Sequence, residues 1–215
     1  MKARMTVLAL LCVPTVALAQ VGHSPTGSPY RDVRKGHTIT ATGGYFGGSG
    51  GVVDVGPHRG EMFGGRYDIR SASALQIGLA VSQANLKRFI LNPTLPPENR
   101  LTGPVQQSVT FVEIALQFNL TGGKSWHRIA PFIGSGFGLA LASDTPADAL
   151  FDFGNKFYLA PNAGLRFFLS DRLHLRGEAR AAFWKLTYPS VFENERSEWI
   201  VSPWLQVGVG YSFSP

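Results

Sequence analysis

Cysteine is nearly absent from this chain of 215 residues, and its one cysteine, Cys12, lies close to the N-terminus. We therefore expect no disulfide and no thiolate metal ligand in the rest of the chain, and no motif indicates a cofactor or a metal. Long apolar runs are also absent, since no stretch after the N-terminal segment approaches the 18 or so residues of a transmembrane helix. Charged residues make up only 16 % of the chain, which is low for a soluble globular domain.

The first residues have the pattern of a secretory signal peptide. Lys2 and Arg4 precede a largely apolar stretch, and Ala17-Leu18-Ala19 supplies the small residues that signal peptidase recognises. We predict cleavage after Ala19, which leaves 18 basic and 14 acidic residues and a net charge of +4. So mild an excess does not favour nucleic-acid binding. Residues 20–35 are rich in Pro, Gly, Ser and charge, and we predict a flexible leader there.

From residue 37 onward, apolar and polar residues alternate with a period of two. A helix, with its period of 3.6, does not produce this alternation, so we predict β-strands. The predicted strands are 37–46, 60–70, 73–83, 107–120, 127–141, 156–169, 172–185 and 199–213. The clearest alternation sets Leu173, Leu175, Gly177, Ala179, Ala181 and Phe183 against His174, Arg176, Glu178, Arg180, Ala182 and Trp184.

The connections between the predicted strands are alternately long and short. A backbone that faces hydrocarbon has no water to bond, so strands span lipid only as a closed ladder without edges. Each predicted strand reaches the 9 to 11 residues that a tilted strand needs to cross. We predict an all-β fold, an eight-stranded antiparallel transmembrane β-barrel with short periplasmic turns, long extracellular loops and its apolar face outward. The alternative is a soluble barrel, which would hold its apolar face inside.

Two motifs resemble a known family. Gln206, Gly208, Tyr211 and Phe213 near the C-terminus resemble the assembly signal of outer-membrane barrels. Residues 131–138, with Pro131-Phe132-Ile133-Gly134 followed by Gly136 and Gly138, resemble a recurring strand of the OmpA-like and OmpX-like small barrels. The resemblance implies a bacterial outer-membrane location, recognition by the barrel-assembly machinery, a periplasmic leader at 20–35 and a barrel domain at 36–215. Members of the family include anchors, adhesins, small-solute channels and lipid-modifying enzymes.

Seven charged residues fall on the polar side of the alternation. In an eight-stranded barrel this side faces a lumen that the side chains themselves fill. The charges are therefore expected to pair, because an isolated buried charge is strongly unfavourable. We expect a plug of ion pairs that closes the lumen, and the alternative is a gated solute path in which the pairs exchange partners. The seven residues are Arg66, Asp68, Glu113, Arg166, Arg176, Glu178 and Arg180.

Catalysis on lipid A is a second class of function that the sequence leaves open. Barrel enzymes of this class need a histidine base beside a serine nucleophile. No histidine of the predicted mature chain lies two residues before a serine on a strand, and His174 and Glu178 share a strand face without a serine. We therefore predict no catalytic residues and no enzyme activity.

The rims of the predicted barrel carry aromatic and basic residues. Tyr45 and Trp199 are expected at the outer interface, and Tyr67, Tyr211 and Phe213 at the inner one. Four cations are expected at the outer ends of the strands, where they could contact lipopolysaccharide phosphates or remain solvated: Lys87, Arg88, Lys156 and Lys185. The predicted outer loop 84–106 contains Phe89, Ile90 and Leu91, which could contact a partner or fold back onto the rim.

Together these features predict a monomeric outer-membrane barrel with a structural or surface-interaction role and a mostly closed polar lumen. Its expected partners are outer-membrane lipid, lipopolysaccharide and, during biogenesis, the barrel-assembly machinery. A small-solute channel is the alternative, followed by a lipid-A-modifying enzyme.

Overall fold

The computed structural model describes residues 27–33, 36–92, 94–143, 151–188 and 196–214. The predicted signal peptide and its cleavage site lie outside these residues and remain predictions. No helix within the described ranges is long and apolar enough to cross a membrane, and a single turn of 3₁₀ helix spans Pro97–Asn99.

Ten strands make up the described structure, and eight of them close into an antiparallel barrel. Two short strands, β1 and β6, pair with each other beside the barrel. In chain order the strands are β1 (Tyr30–Asp32), β2 (His37–Phe46), β3 (His58–Arg70), β4 (Leu75–Leu91), β5 (Leu101–Asn119), β6 (Lys124–Trp126), β7 (Ile129–Ala142), β8 (Asn155–Phe168), β9 (Leu173–Tyr188) and β10 (Arg196–Phe213).

The barrel closes where its last strand meets its first. β10 pairs with β2 over ten residues, from Trp204 opposite Phe46 to Phe213 opposite His37. Every other barrel strand pairs with its sequence neighbours. We call the end with the connections 71–74, 120–128 and 169–172 the turn end, and the opposite end the loop end.

Side chains on the barrel wall alternate between lipid-facing and lumen-facing positions. On β4, for example, Ile77, Leu79 and Val81 are exposed, whereas Gln76 and Ser82 are buried. The exposed apolar side chains form a belt around the barrel, with further members such as Ile114, Phe137, Leu159 and Val207. An apolar outer belt around a polar interior is the distribution of a transmembrane barrel, so the predicted fold is confirmed.

β4 and β5 are much longer than predicted. They form a hairpin of 17 and 19 residues that takes in most of the predicted loop 84–106, so the loop prediction was wrong. The physical reason is that the inward and outward faces of β4 exchange polarity near Ser82. Beyond it, Ala84, Leu86 and Ile90 point inward and are buried, while polar residues such as Gln83 and Asn85 are exposed.

Part of the predicted flexible leader is ordered. Tyr30–Asp32 forms β1, which pairs with Lys124–Trp126 of β6. Backbone bonds from Val33 N to Gly123 O (2.8 Å) and from His127 N to Pro29 O (3.0 Å) fix this hairpin at the turn end. The leader is therefore attached to the barrel through residues 29–33.

Candidate functional site

The structure buries all seven of the predicted lumen charges, each with 7 % or less of its surface exposed. They come from four strands: Arg66 and Asp68 from β3, Glu113 from β5, Arg166 from β8, and the remaining three from β9. The alternation of the strands turns them inward together.

Four of these residues form a continuous chain of ion pairs. Arg176 Nη2 lies 2.6 Å from Glu178 Oε2, and Glu178 Oε1 lies 2.8 Å from Arg180 Nε. Arg180 Nη2 then reaches across the lumen to Glu113 Oε1 at 2.5 Å. Glu113 also accepts a hydrogen bond from Tyr158 Oη at 3.1 Å. The chain therefore connects β9 with β5 and β8 across the barrel.

The other three charges are arranged in two groups. Arg66 Nε donates to Asp68 Oδ1 at 2.7 Å, so this pair neutralises itself within one strand. Arg166 has no carboxylate within ion-pair distance among the described residues. Its guanidinium instead donates to Gln76 Oε1 at 3.1 Å and to Asn119 Oδ1, and it lies 5.8 Å from the centre of the Phe168 ring.

Aromatic rings carry part of the contact with the buried arginines. The guanidinium of Arg176 lies 4.1 Å from the centre of the Phe132 ring, and that of Arg180 lies 4.7 Å from the Trp204 ring. A cation above a desolvated aromatic face is attracted by the ring quadrupole. The seven lumen charges comprise four arginines and three carboxylates. The rings fill space in the lumen and also stabilise the positive charge that no carboxylate neutralises.

Lumen-facing glycines make room for the charged side chains. A Cβ atom on Gly136 would lie 2.2 Å from the Glu113 carboxyl carbon, and one on Gly78 would lie 2.4 Å from Asp68 Oδ1. Gly177, on the lipid-facing side, has no atom within 4 Å of such a Cβ. The charge network therefore requires glycine at these positions of the inner wall, because a larger residue there would overlap the charged side chains.

The sequence predicts a polar lumen, but the structure shows that only part of its length is polar. Its loop-end half is filled by a cluster of buried apolar residues that we call the aromatic seal. Its rings are in contact, with the Phe111 centroid 5.2 Å from that of Trp204 and 6.0 Å from that of Trp184. Its aromatic members are Phe46, Phe111, Phe151, Phe153, Tyr158, Trp184, Tyr188 and Trp204.

Connections at the loop end contribute to the seal. Val55, from the connection between β2 and β3, and Phe151 and Phe153, which precede β8, are all almost fully buried. The Phe153 ring packs edge-on against Trp184 at 5.4 Å. Glu198 Oε1 accepts a hydrogen bond from Val52 N at 2.8 Å, which holds the β2–β3 connection over the barrel.

Arg88 lies inside this seal and not on the outer rim, so its predicted contact with lipopolysaccharide is excluded. It is fully buried. Its guanidinium donates to Phe151 O at 2.6 Å and to Gln107 Oε1 at 3.1 Å. The reason is the exchange of faces beyond Ser82, which puts Arg88 in phase with the lumen-facing residues of β4.

The other three predicted rim cations do not form one site. Lys87 and Lys185 are exposed, but β4 and β9 are four strands apart in either direction around the barrel. Lys156 is half-buried, with its Nζ 6.0 Å from the centre of the Phe153 ring. The structure therefore leaves two exposed lysines on opposite sides of the loop end.

The residues of the assembly motif lie along β10, the strand that closes the barrel. Gly208 pairs with Thr42 and Tyr211 with Ile39 of β2. Gln206 is turned inward and Tyr211 is exposed. The Phe213 ring lies 5.6 Å from the His37 ring. Their recognition by the assembly machinery remains a prediction.

The region around Glu113 and Arg180 has no room for a permeating solute. The small void there, which Tyr158 and Trp204 also line, is too small for a water molecule. Among the described residues no group of three or more His, Cys, Asp or Glu side chains is placed to bind a metal ion. His174 is buried against the Phe168 ring at 5.3 Å. The interior is thus built of packed rings and ion pairs.

Comparison with known proteins supports the architecture. No protein-family model matches this sequence, and neither does the sequence of any curated protein. The crystal structure of neisserial surface protein A, NspA, matches with a TM-score of 0.58 and 13 % identity, over 82 % of this chain and 97 % of that chain. This chain has the fold of the small outer-membrane β-barrels. OprG from Pseudomonas aeruginosa, an outer membrane protein, matches with a TM-score of 0.50 and 14 % identity, over 84 % and 98 % of the two chains. The resemblance to the small barrels is therefore confirmed at the level of the fold.

Proposed function

We propose that this protein is a monomeric barrel of the bacterial outer membrane with a sealed lumen and a structural or surface-interaction role. The observation that carries the proposal is the aromatic seal. It lies in series with the ion-pair network, so a solute would have to displace both layers to pass. Conduction would need both layers to open.

The surface role would be carried by the part of the barrel that rises above the apolar belt. On the β4–β5 hairpin the outward side chains Gln83, Asn85 and Lys87 are exposed and polar. Gln83 accepts a hydrogen bond from Thr110 Oγ1 at 2.8 Å and donates one to Ser108 Oγ. We call this hydrogen-bonded outer surface, formed by Gln83, Asn85, Lys87, Gln106, Ser108 and Thr110, the polar wall. It is a rigid polar platform of the kind that suits binding to other molecules.

Conductance in planar bilayers tests the sealed lumen. The wild type and Glu113→Gln are both expected to stay at background, because the aromatic seal remains closed when the ion-pair layer is disturbed. A variant with Phe111→Ala and Trp184→Ala is the matched change in the other layer, and it should also remain closed while the network is intact. Steady current through Glu113→Gln alone would contradict the proposal and favour the channel.

Complementation of a deletion strain tests the structural or surface role. The wild-type gene is compared with a polar-wall variant, Gln83→Ala with Asn85→Ala and Gln106→Ala, and with the lumen-facing control Ser82→Ala. If the wall binds other molecules, the wall variant loses adhesion to protein-coated glass while the control keeps it. If the role is structural, the wild-type gene, the wall variant and the control all restore the resistance of the cells to detergent. A deletion strain that shows neither defect would contradict both roles.

Contact with lipopolysaccharide is proposed for the two exposed lysines, since both lie at the loop end, where its phosphates would be. Replacement of Lys87 and Lys185 by Gln should lower the lipopolysaccharide that purifies with the barrel. Lys124→Gln, at the turn end, is the control. An equal amount of lipopolysaccharide in all three proteins would count against the contact.

Folding by the barrel-assembly machinery is proposed through Tyr211 and Phe213. Tyr211→Ala with Phe213→Ala should reduce the heat-modifiable, folded fraction in cells more than it reduces refolding from urea into detergent. An equal loss in both assays would instead indicate a defect of the barrel itself.

A further inference from the structure

The turn end contains a small polar pocket between the β1/β6 hairpin and the turn that joins β8 to β9. Its volume is about 60 Å³, enough for several water molecules. Charged and hydroxyl side chains of both elements line it: Arg31, Asp32, Ser125, Arg128, Ser170 and Asp171. The β1/β6 hairpin and the turn that follows it contribute Arg31, Arg128 and Asp32, and the β8–β9 turn contributes Asp171.

Two arginines and one carboxylate of this pocket, Arg31, Arg128 and Asp171, do not pair with one another. Within the described part of the chain, neither a hydrogen bond nor an ion pair engages the side chains of Arg31, Arg128 or Asp171. In the lumen, by contrast, arginine and carboxylate groups meet at 2.5 to 2.8 Å. A pocket that holds two guanidinium groups and the Asp171 carboxylate without pairing them is suited to a ligand that brings an opposite charge to each.

The backbone holds Arg128 in this place at a conformational cost. His127 and Arg128 form the two-residue turn between Trp126 and Ile129, with φ of 46° and 69°. Such a turn favours Asn-Gly, because other side chains are strained at positive φ. The carbonyl of Arg128 accepts a hydrogen bond from Phe168 N at 2.8 Å, which ties the turn to β8 beside the pocket. Strain that the surrounding structure maintains is typical of binding sites.

Ordered contacts fix both walls of the pocket. Ser125 Oγ donates to the Arg31 carbonyl at 3.4 Å. Arg70 donates to Val33 O, which joins the hairpin side to β3 across the turn end. Ser170 Oγ accepts bonds from Arg172 N at 3.3 Å and from Leu173 N at 3.0 Å. The pocket is therefore preorganised on both sides.

We propose that this pocket binds a small zwitterion whose phosphate lies against Arg31 and Arg128 and whose ammonium group lies against Asp171. Phosphoethanolamine has this chemistry, either as the free compound or as the head group of a phospholipid. Arginine binds phosphate through two parallel charge-assisted hydrogen bonds. The carboxylate of Asp171 would favour an amine over an uncharged or bulkier group.

Calorimetric titration of the refolded barrel in dodecyl maltoside micelles tests the site, with phosphoethanolamine, inorganic phosphate and ethanolamine as probes. The wild type should bind phosphoethanolamine saturably and prefer it to inorganic phosphate. Arg31→Gln and Arg128→Gln should each weaken binding by about tenfold, the effect of one charge-assisted hydrogen bond. Asp171→Asn should remove the preference over phosphate. Arg100→Gln, at the loop end, is the matched control and should bind as the wild type does.

Two lipid environments distinguish the source of the ligand. In nanodiscs of phosphatidylethanolamine, a site that takes the lipid head group would bind soluble phosphoethanolamine more weakly than in nanodiscs of phosphatidylcholine. Equal binding in both would indicate a free ligand. The proposal is overturned if the wild type shows no saturable binding below about 10 mM, or if the Arg31→Gln, Arg128→Gln double variant binds unchanged. Heat-modifiable migration of each variant verifies that it is folded.

Discussion

The two halves of the lumen are built from the same strands but opposite chemistry. In the turn-end half the inward residues of β9 are His174, Arg176, Glu178 and Arg180, and in the loop-end half they are Ala182, Trp184, Leu186 and Tyr188. The outward face changes in the reverse sense, from Leu175 to Lys185.

The difference follows from what surrounds each half. Where the wall faces lipid, the apolar residues are used outside, so polar residues are left to fill the interior and must pair. Where the wall rises into water, the outside must be polar, and the barrel can hold a core of the kind found in soluble proteins. The level at which the faces exchange therefore marks the edge of the apolar belt.

The largest expected effect is from emptying the seal. Trp184→Ala should lower the free energy of unfolding by about 4 kcal/mol, because it removes a fully buried ring and leaves a cavity. Trp184→Phe is the control. The indole Nε1 has no hydrogen-bond partner among the described residues, so the smaller ring should lose far less. Urea titration in lipid vesicles measures both variants, and equal losses would show that ring packing does not hold this half together.

Breaking the ion-pair layer should have the next largest effect. Glu113→Gln is expected to cost about 3 kcal/mol, because it leaves Arg180 buried with one carboxylate partner in place of two. Glu61→Gln, which changes an exposed carboxyl on β3, is expected to leave stability within about 0.5 kcal/mol of the wild type. A neutral result at Glu113 in the same titration would mean that the network is solvated.

The edge of the apolar belt can be located with arginine substitutions along β4. Leu79→Arg, in the middle of the exposed apolar residues of that strand, should destabilise the barrel by about 2 kcal/mol. Asn85→Arg, six residues further on and facing the same way, should cost less than about 1 kcal/mol. Similar costs at both positions, measured by folding into vesicles, would contradict an exchange of faces between them.

The smallest effects are expected from glycine substitutions on the inner and outer walls. Gly136→Ala should cost about 1 to 2 kcal/mol, because its Cβ would overlap the Glu113 carboxyl group and force it to move. Gly177→Ala makes the same change on the lipid-facing side and should be within about 0.5 kcal/mol of neutral. If the two substitutions are equally tolerated, the lumen-facing glycines are not needed to make room for the network.

The turn-end half could be predicted from the sequence almost residue by residue. The alternation of period two put all seven lumen charges on the inward face, and the structure buries all seven. The pairing among them could not be predicted, because Arg180 meets Glu113 only through the curvature of the barrel, across 67 positions of sequence.

The strand bounds and side-chain positions of the loop-end half are predicted less accurately from the sequence, for one physical reason. An interpretation that turns every apolar residue outward ends this strand at residue 83 and puts Arg88 on the rim. A signal for the correct assignment was present in the sequence. Ala84, Leu86 and Ile90 continue the phase of Gln76 and Ser82, and a strand that keeps its phase while its polarity reverses is a strand that leaves the membrane.

The sequence by itself determined the eight strands of the barrel, the direction of nearly every side chain on them and the short turns that join β3 to β4 and β8 to β9. These depend on a local period of two and on the chemistry of turns, which each segment carries alone. Only the tertiary structure decided which charges pair, which rings close the lumen and which residues line the turn-end pocket. These depend on how the closed barrel staggers its strands, because contacts across the lumen join residues that have no relation in sequence.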